Sequence, residues 1–362
     1  MNVIKASRHF EKWLGQHTHL VAPDLRLKHK FMAQAPFPFF RATFYRWVQL
    51  WPQICPDLAK APHLLAIGDL HIENFGTWRD LEGRLIWGVN DFDEAYTLAY
   101  TIDLVRVAAS ALLAAEGGHL NFKPKEGCDA IVEGYRNSLK AGGEPFVLAE
   151  NHKWMRVIAE NELRDPIRFW GKMDKLPTFQ GEIPVSAREG LEHLLPGPGI
   201  KYRVAHRTAG LGSLGHMRFV ALAEWHGGHV AREAKALVPS SVYWANGDQG
   251  PSEILCQPII SNAVRCLDPF VQVRGKWIVR RLGPYCSRIG LDTLKAEGLE
   301  LRLLEAMGWE TANIHLGSPK AVTGVRSHLK KLKPGWLYGA AQEMLQAVMK
   351  DWRAWSKAWT DR

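Results

Sequence analysis

Asp69, Asn74 and Asp91 are the residues whose types and spacing could do chemistry. They stand in Gly68-Asp69-Leu70-His71-Ile72-Glu73-Asn74-Phe75 and in Asn90-Asp91-Phe92-Asp93. Phosphoryl transfer needs such a set: one carboxylate to take the proton of an attacking hydroxyl, then an amide and a second carboxylate to hold the magnesium that neutralises the phosphates. Asp69 fits the first role, since a carboxylate can both orient and deprotonate a hydroxyl. Asn74 and Asp91 fit the second, because magnesium takes one or two protein carboxylates and completes its octahedron with phosphate and water. A lone Asp69 would read as a turn residue, but its joint spacing with Asn74 and Asp91 favours chemistry. Asp93 either holds a second metal or is a solvated turn residue, and Glu94 reads as solvated. His71 is expected to orient the loop, through its backbone or Asp91, rather than to carry protons. Asp103 opens an apolar helix, either as an N-terminal dipole partner or as a brace beneath the loop.

These residues need elements that bring them together. Gly76 to Gly83 is rich in turn residues and precedes the apolar run Leu85-Ile86-Trp87-Gly88-Val89. That pattern predicts a hairpin with Asn74 and Asp91 at the same end. Helices are expected over 39–50, 100–115, 127–140 and 146–163, and over the tail from Leu291. Trp352, Trp355 and Trp359 recur at helical spacing, which reads as a core-facing stripe. Five prolines between 164 and 200 mark a boundary between lobes.

Beyond that boundary, Tyr202-Arg203-Val204 and Phe219 to Ala223 read as strands flanking Gly210-Leu211-Gly212-Ser213-Leu214-Gly215. A dinucleotide fold would need a helix directly after the glycines. A strand, glycine loop and strand instead suit a flap whose backbone amides cover ATP phosphates, with Gly210, Gly212, Ser213 and Gly215 as its parts. A phosphate-contacting cation belongs on the following strand, where Arg232 and Lys235 are available. They are three positions apart, so a regular strand sends them to opposite faces. Lys is the usual point-charge phosphate binder. Glu253 or Glu233 would be its ion-pair partner. Val271 to Val273 and Trp277 to Val279, around Arg274-Gly275-Lys276, predict another hairpin.

The Gly-Asp-Leu-His-x-x-Asn stretch with its following Asp-Phe resembles the catalytic core of aminoglycoside phosphotransferases and related protein-kinase-like enzymes. The chain more closely resembles the bacterial domain of unknown function 2252 family. There the similar motifs are Gly68 to Gly76, Asn90 to Glu94, Asp103 to Arg106, Gly210 to Gly215 and Arg232-Glu233-Ala234, with Arg232 in place of that family's Lys. The resemblance runs from about Pro36 to Leu282. It implies an α+β, two-lobed kinase-like fold that uses ATP and magnesium to phosphorylate a hydroxyl acceptor, either a small molecule or a protein. Here the glycine flap follows the catalytic loop, which implies a circular permutation, tolerable because chain termini often lie close together. On this reading 1–195 is the larger catalytic lobe, 196–285 the smaller nucleotide-binding lobe with its hinge at Arg281-Leu282-Gly283-Pro284, and 286–362 a helical tail returning to the larger lobe.

Bulk properties bound the alternatives. The chain has 362 residues, 46% of them hydrophobic, enough for a large core. No apolar run is long enough to span a membrane, and the start carries no apolar signal core. Five scattered cysteines fit a reduced cytoplasm with no zinc site. The net charge of +9 calls for anionic partners, and with no nucleic-acid signature these are expected to be nucleotide phosphates. Two further readings remain: a nucleotide-binding regulatory module without turnover, supported by Arg232, and a metal-dependent phosphoesterase, which would need more His and Asp ligands than are evident.

Overall fold

The computed structural model describes residues 1–162, 165–250, 252–286 and 299–360, without the side chains of 160–162. The fold is α+β. Its strands are β1 (His63–Ala66), β2 (Phe75–Arg79), β3 (Leu85–Val89), β4 (Tyr96–Ala99), β5 (Phe146–Val147), β6 (Tyr202–His206), β7 (Arg218–Trp225), β8 (Gly228–Ala236), β9 (Val271–Arg274) and β10 (Trp277–Leu282). They form β1-β4, β2-β3-β5 and a five-stranded antiparallel sheet in the order β6-β7-β8-β10-β9.

The helix Thr101–Glu116 is apolar on most of its surface apart from Thr101, Asp103, Arg106 and Ser110, and all its residues from Thr101 to Ala114 are buried. Such a helix must sit at the centre of a core. Pro124–Ala141, Leu299–His315 and Trp336–Thr360 surround it in one large apolar cluster. Two of these neighbours pack backbone to backbone: a Cβ at Gly134 would strike the carbonyl of Glu305, and one at Gly308 that of Ile131. Of the tryptophan stripe, Trp355 is buried in this core, Trp352 packs against it, and Trp359 lies edge-on to His29.

The five-stranded sheet has its own core. Ala221, Ala234, Val279 and Trp277 pack with Ala187 and Leu191 of the helix Val185–His193. That helix lies inside the proline-rich stretch of 164–200, which therefore carries structure of its own.

The hairpin β2–β3 forms with Phe75 opposite Val89. Just beyond it, the Asn90 amide donates to the Asn74 carbonyl at 3.0 Å. Two helix expectations need correction. The segment 39–50 is split into Pro36–Ala42 and Phe44–Ile54 at Thr43, whose hydroxyl donates to the Phe39 carbonyl. The segment 146–163 begins as β5, paired to β3, and its helix starts only at Lys153. His152 breaks it by adopting φ 55°, a left-handed conformation that no helix continues through. The early part of the expected tail helix, 291–298, lies outside the described residues.

Candidate active site

Asp69 follows Gly68, whose φ of 86° turns the chain out of β1. A side chain at Gly68 would run into the backbone of Glu94, so glycine also permits this approach. The turn is held from below. The Asp103 carboxylate accepts from the amides of Ile67 (2.7 Å) and Gly68 (2.9 Å), and His315 Nε2 lies 2.9 Å from the same group. Asp103 is thus the brace beneath the loop. His71 accepts from the Glu73 amide at 3.2 Å and caps the short turn Ile72–Asn74.

One helical turn along, Arg106 donates through Nε and Nη2 to Asp69 Oδ1. Its guanidinium has no exposure and lies over Phe40 at 4.1 Å, with Phe44 and Trp47 also close. Oδ1 is therefore fixed, while Oδ2 accepts no hydrogen bond among the described residues. Burial pushes the Asp69 carboxyl above its usual range, against the pull of Arg106. The Asn74 side-chain amide donates to the Asp69 carbonyl at 2.9 Å, which leaves the Asn74 amide oxygen available as a ligand.

Asp91 and Asp93 follow the hairpin. Lys235 of β8 reaches both, pairing with Asp93 and lying 3.5 Å from Asp91, across a separation of 142 residues in the Lys235–Asp93 case. Desolvation pushes Asp91 up, but Lys235 and Arg280 outweigh it and hold the carboxyl below its usual range. Burial and then repulsion from Asp91 raise Asp93 to about 6. Glu94 is not a solvated turn residue: it accepts from Ser240 Oγ (2.8 Å) and from Ser241 N (2.7 Å) and Oγ (3.0 Å).

The glycine segment connects β6 to β7 and reaches across to Asp69. A Cβ built on Gly212 would stand 3.5 Å from Asp69 Oδ2. Lys28, buried in the helix Ala22–Gln34, donates to the Gly212 carbonyl at 2.7 Å, and Gly215 accepts from the Val21 amide at 2.8 Å. Ser213 Oγ accepts from Arg218 at 2.9 Å. The N-terminal helices thus clamp one side of the loop and the sheet the other.

These groups surround a cavity of about 350 Å³ lined by Asp69, Asn74, Asp91, Asp93, Gly210, Gly212 and Ser213. Arg207, Arg218 and Arg280 line its sheet side. All three donate to Glu233, at 2.6, 2.8 and 2.8 Å. Glu233 is fully buried; desolvation would raise its carboxyl, but the three guanidiniums hold it well below the usual range.

Three expectations fall elsewhere. Arg232 points to the opposite face of the sheet, where it donates to the Leu194 carbonyl at 2.6 Å and stacks on Phe270. Glu253 is exposed, and Glu233 belongs to the arginines; the carboxylates that Lys235 meets among the described residues are Asp91 and Asp93. The sequence alone gives no site role to Lys28, Arg106, Arg207, Arg218 or Arg280, all of which meet the site here. Only Arg106 carried a local signal, as a charged residue one turn after Asp103 on an otherwise apolar helix.

Magnesium fits these residues in one respect: an amide oxygen, Asn74, which precedes β2, and an ionised carboxylate, Asp91, which follows β3, stand at the same open end of one hairpin. Among the described residues no group of three His, Cys, Asp or Glu could hold a metal, so phosphate and water would have to complete the coordination. No helix among the described residues is long and apolar enough to cross a membrane, and all five cysteines are free.

No curated protein and no solved structure matches the chain. Residues 20–166 match the family described as "Uncharacterized protein conserved in bacteria (DUF2252)". This supports the resemblance to that family over the stretch that carries Asp69, Asn74, Asp91, Asp93 and Asp103, and it stops short of the glycine loop and β8.

Proposed function

We propose that this chain is an ATP- and magnesium-dependent phosphotransferase of kinase-like type that acts on a hydroxyl acceptor. One observation carries the reading: the glycine loop of the five-stranded sheet comes close to the Asp69 carboxylate in the lining of the cavity that also holds Asn74 and Asp91. A glycine loop that covers the phosphates near a catalytic aspartate, with a lysine on the second strand after that loop, is the working arrangement of protein kinases. Here that strand is β8 and the lysine is Lys235. The loop and β8 come after Asp69 and Asp91 in sequence, so the kinase-like reading includes a circularly permuted order of parts.

On this reading Asp69 Oδ2 takes the proton of the acceptor hydroxyl as its oxygen bonds to the γ-phosphorus and ADP departs. Arg106 fixes the carboxylate so that Oδ2 faces the cavity, and the raised proton affinity of Asp69 suits an acceptor of protons. Asn74 and Asp91 would hold the magnesium, which supplies charge neutralisation at the phosphates. The Asp103 brace keeps the loop in place without touching the reactants.

The non-catalytic alternative drew on Arg232. That support weakens once Arg232 is seen on the far face of β8, with Lys235 on the site face. The phosphoesterase alternative asks for a larger ligand set than the described residues offer. The deciding experiment titrates ATP into the protein with and without magnesium, in the native chain and in Asp91→Asn, and follows ADP release. Binding that needs magnesium, weakens in the variant and yields ADP supports the assignment. ATP binding without any ADP moves it to a regulatory module, and no binding at all ends it.

A further inference from the structure

We infer that Arg207, Arg218 and Arg280, gathered on Glu233, form the phosphate-binding subsite of the cavity, and that Lys235 positions Asp91 and Asp93 instead of touching phosphate. The inference rests on the reading of the cavity as a nucleotide site, and it names the part of the ligand that lies against the sheet.

Lys235 is spoken for. Its side chain is 3% exposed and is paired with Asp93 and Asp91, so it presents no open face to a ligand. The arginines differ. In the sheet register Arg280 lies opposite Glu233, and Arg218 lies opposite Lys235, so all four share one face. Arg207 joins them from the start of the glycine segment. A buried carboxylate needs pairing, but one cation suffices for that. Three guanidiniums on one carboxylate leave an excess of positive charge and unused N–H donors. None of these nitrogens is a buried atom without a partner, and all three arginines line the cavity. Arg207 and Arg280 keep 17% and 28% of their side chains exposed. Arg218, 4% exposed, ties the cluster to Ser213 of the loop.

A guanidinium fork held rigid by a buried partner is well suited to phosphate oxygens. The same wall is a poor seat for a nucleobase, which needs an apolar slot. Glu233 lies two positions from Lys235 on β8, about 7 Å along the strand. A ligand with linked phosphates can therefore reach from Asp91 to the arginines along this wall, with any base held elsewhere.

The test uses tripolyphosphate and adenosine as separate probes of the two halves of ATP, with orthophosphate as a third, each titrated into the full chain without magnesium. Tripolyphosphate is expected to bind, to compete with ATP and to depend on the arginines, whereas any adenosine binding should be indifferent to Arg280. Orthophosphate binding as tightly as tripolyphosphate would overturn the linked-phosphate part of the inference. Arg280→Gln should weaken tripolyphosphate by about tenfold or more, Arg280→Lys by less, and raised salt should weaken the native chain. Adenosine binding with no tripolyphosphate binding, or a folded Arg280→Gln that binds tripolyphosphate normally, overturns the inference. The two readings fail separately: absence of ADP formation with arginine-dependent tripolyphosphate binding sinks only the transferase, and ADP formation indifferent to Arg280 sinks only the subsite.

Discussion

The two walls of the cavity are built in opposite ways. The loop wall, Asp69 to Asp93, comes from one short stretch of chain, a turn and a hairpin: the Ile67 and Gly68 amides donate to the Asp103 carboxylate, the Asn74 side-chain amide donates to the Asp69 carbonyl, and Arg106 pairs with the Asp69 carboxylate. The sheet wall is assembled from β7, β8, β10 and the glycine segment, and its order comes from charge: Glu233 with three arginines, Lys235 with two aspartates. On the proposed reading, the loop wall places a proton acceptor by covalent proximity. The sheet wall places positive charge by mutual pairing. A phosphotransferase needs both, because positioning and charge neutralisation make up nearly all of its catalysis.

The sharpest way to break this division is at Asp69. Asp69→Asn should lower turnover by about 10²–10⁴-fold, the usual size of a general acid–base contribution, with ATP affinity little changed. A variant that loses binding and turnover in equal measure would make Asp69 a structural residue. Arg106→Leu tests the anchoring of the same wall. It leaves a buried carboxylate without its cation, so it should destabilise the fold by about 3–5 kcal/mol. Thermal unfolding reads this directly, and an unshifted transition would show that Asp69 is held by something else.

The contrast also explains what the sequence revealed. That Asp69, Asn74 and Asp91 come together was legible because a hairpin of fixed register converts spacing into geometry. The opposite faces of Arg232 and Lys235 were legible from strand parity alone. The partner of Lys235 was not, because parity says which face a residue occupies and nothing about what crosses to meet it. Arg207, Arg218 and Arg280 lie on different elements, and only the pairing of β7, β8 and β10 makes them neighbours. Lys28 reaches the glycine loop from the N-terminal helices, 184 residues away in sequence. The break at His152 was hidden for another reason: a non-glycine residue at positive φ leaves no mark in composition.

A smaller effect sharpens the role of the charge pairing. Lys235 holds Asp91 ionised beside Asp93. Without it, two carboxyls share a site and one of them takes up a proton near neutrality. Lys235→Met should therefore weaken magnesium-dependent ATP binding more at pH 6 than at pH 8, by about tenfold for each unit of upward shift. Calorimetry at the two pH values checks this, and an equal loss at both would mean that Lys235 contacts the ligand itself.

The smallest expected effect concerns Glu310, which supports the loop wall from behind. It accepts from the Val89 amide at 3.2 Å and from Asn313 at 2.9 Å, beside Arg265. Burial raises its carboxyl to about 7, with Arg265 pulling the other way. A carboxyl raised in the folded state binds its proton more tightly there than in the unfolded chain, where it titrates near its ordinary value of 4.5. Its contribution to stability is therefore full below about 4.5 and is lost as pH rises toward 7. Glu310→Gln keeps the shape and an acceptor oxygen but removes the titration. The melting temperature of the variant relative to the native chain should rise by on the order of a few degrees between pH 5 and pH 8. A difference that stays flat would mean that Glu310 is already ionised at pH 5, with Arg265 as its effective partner, and the loop wall would then depend on charge pairing as much as the sheet wall does.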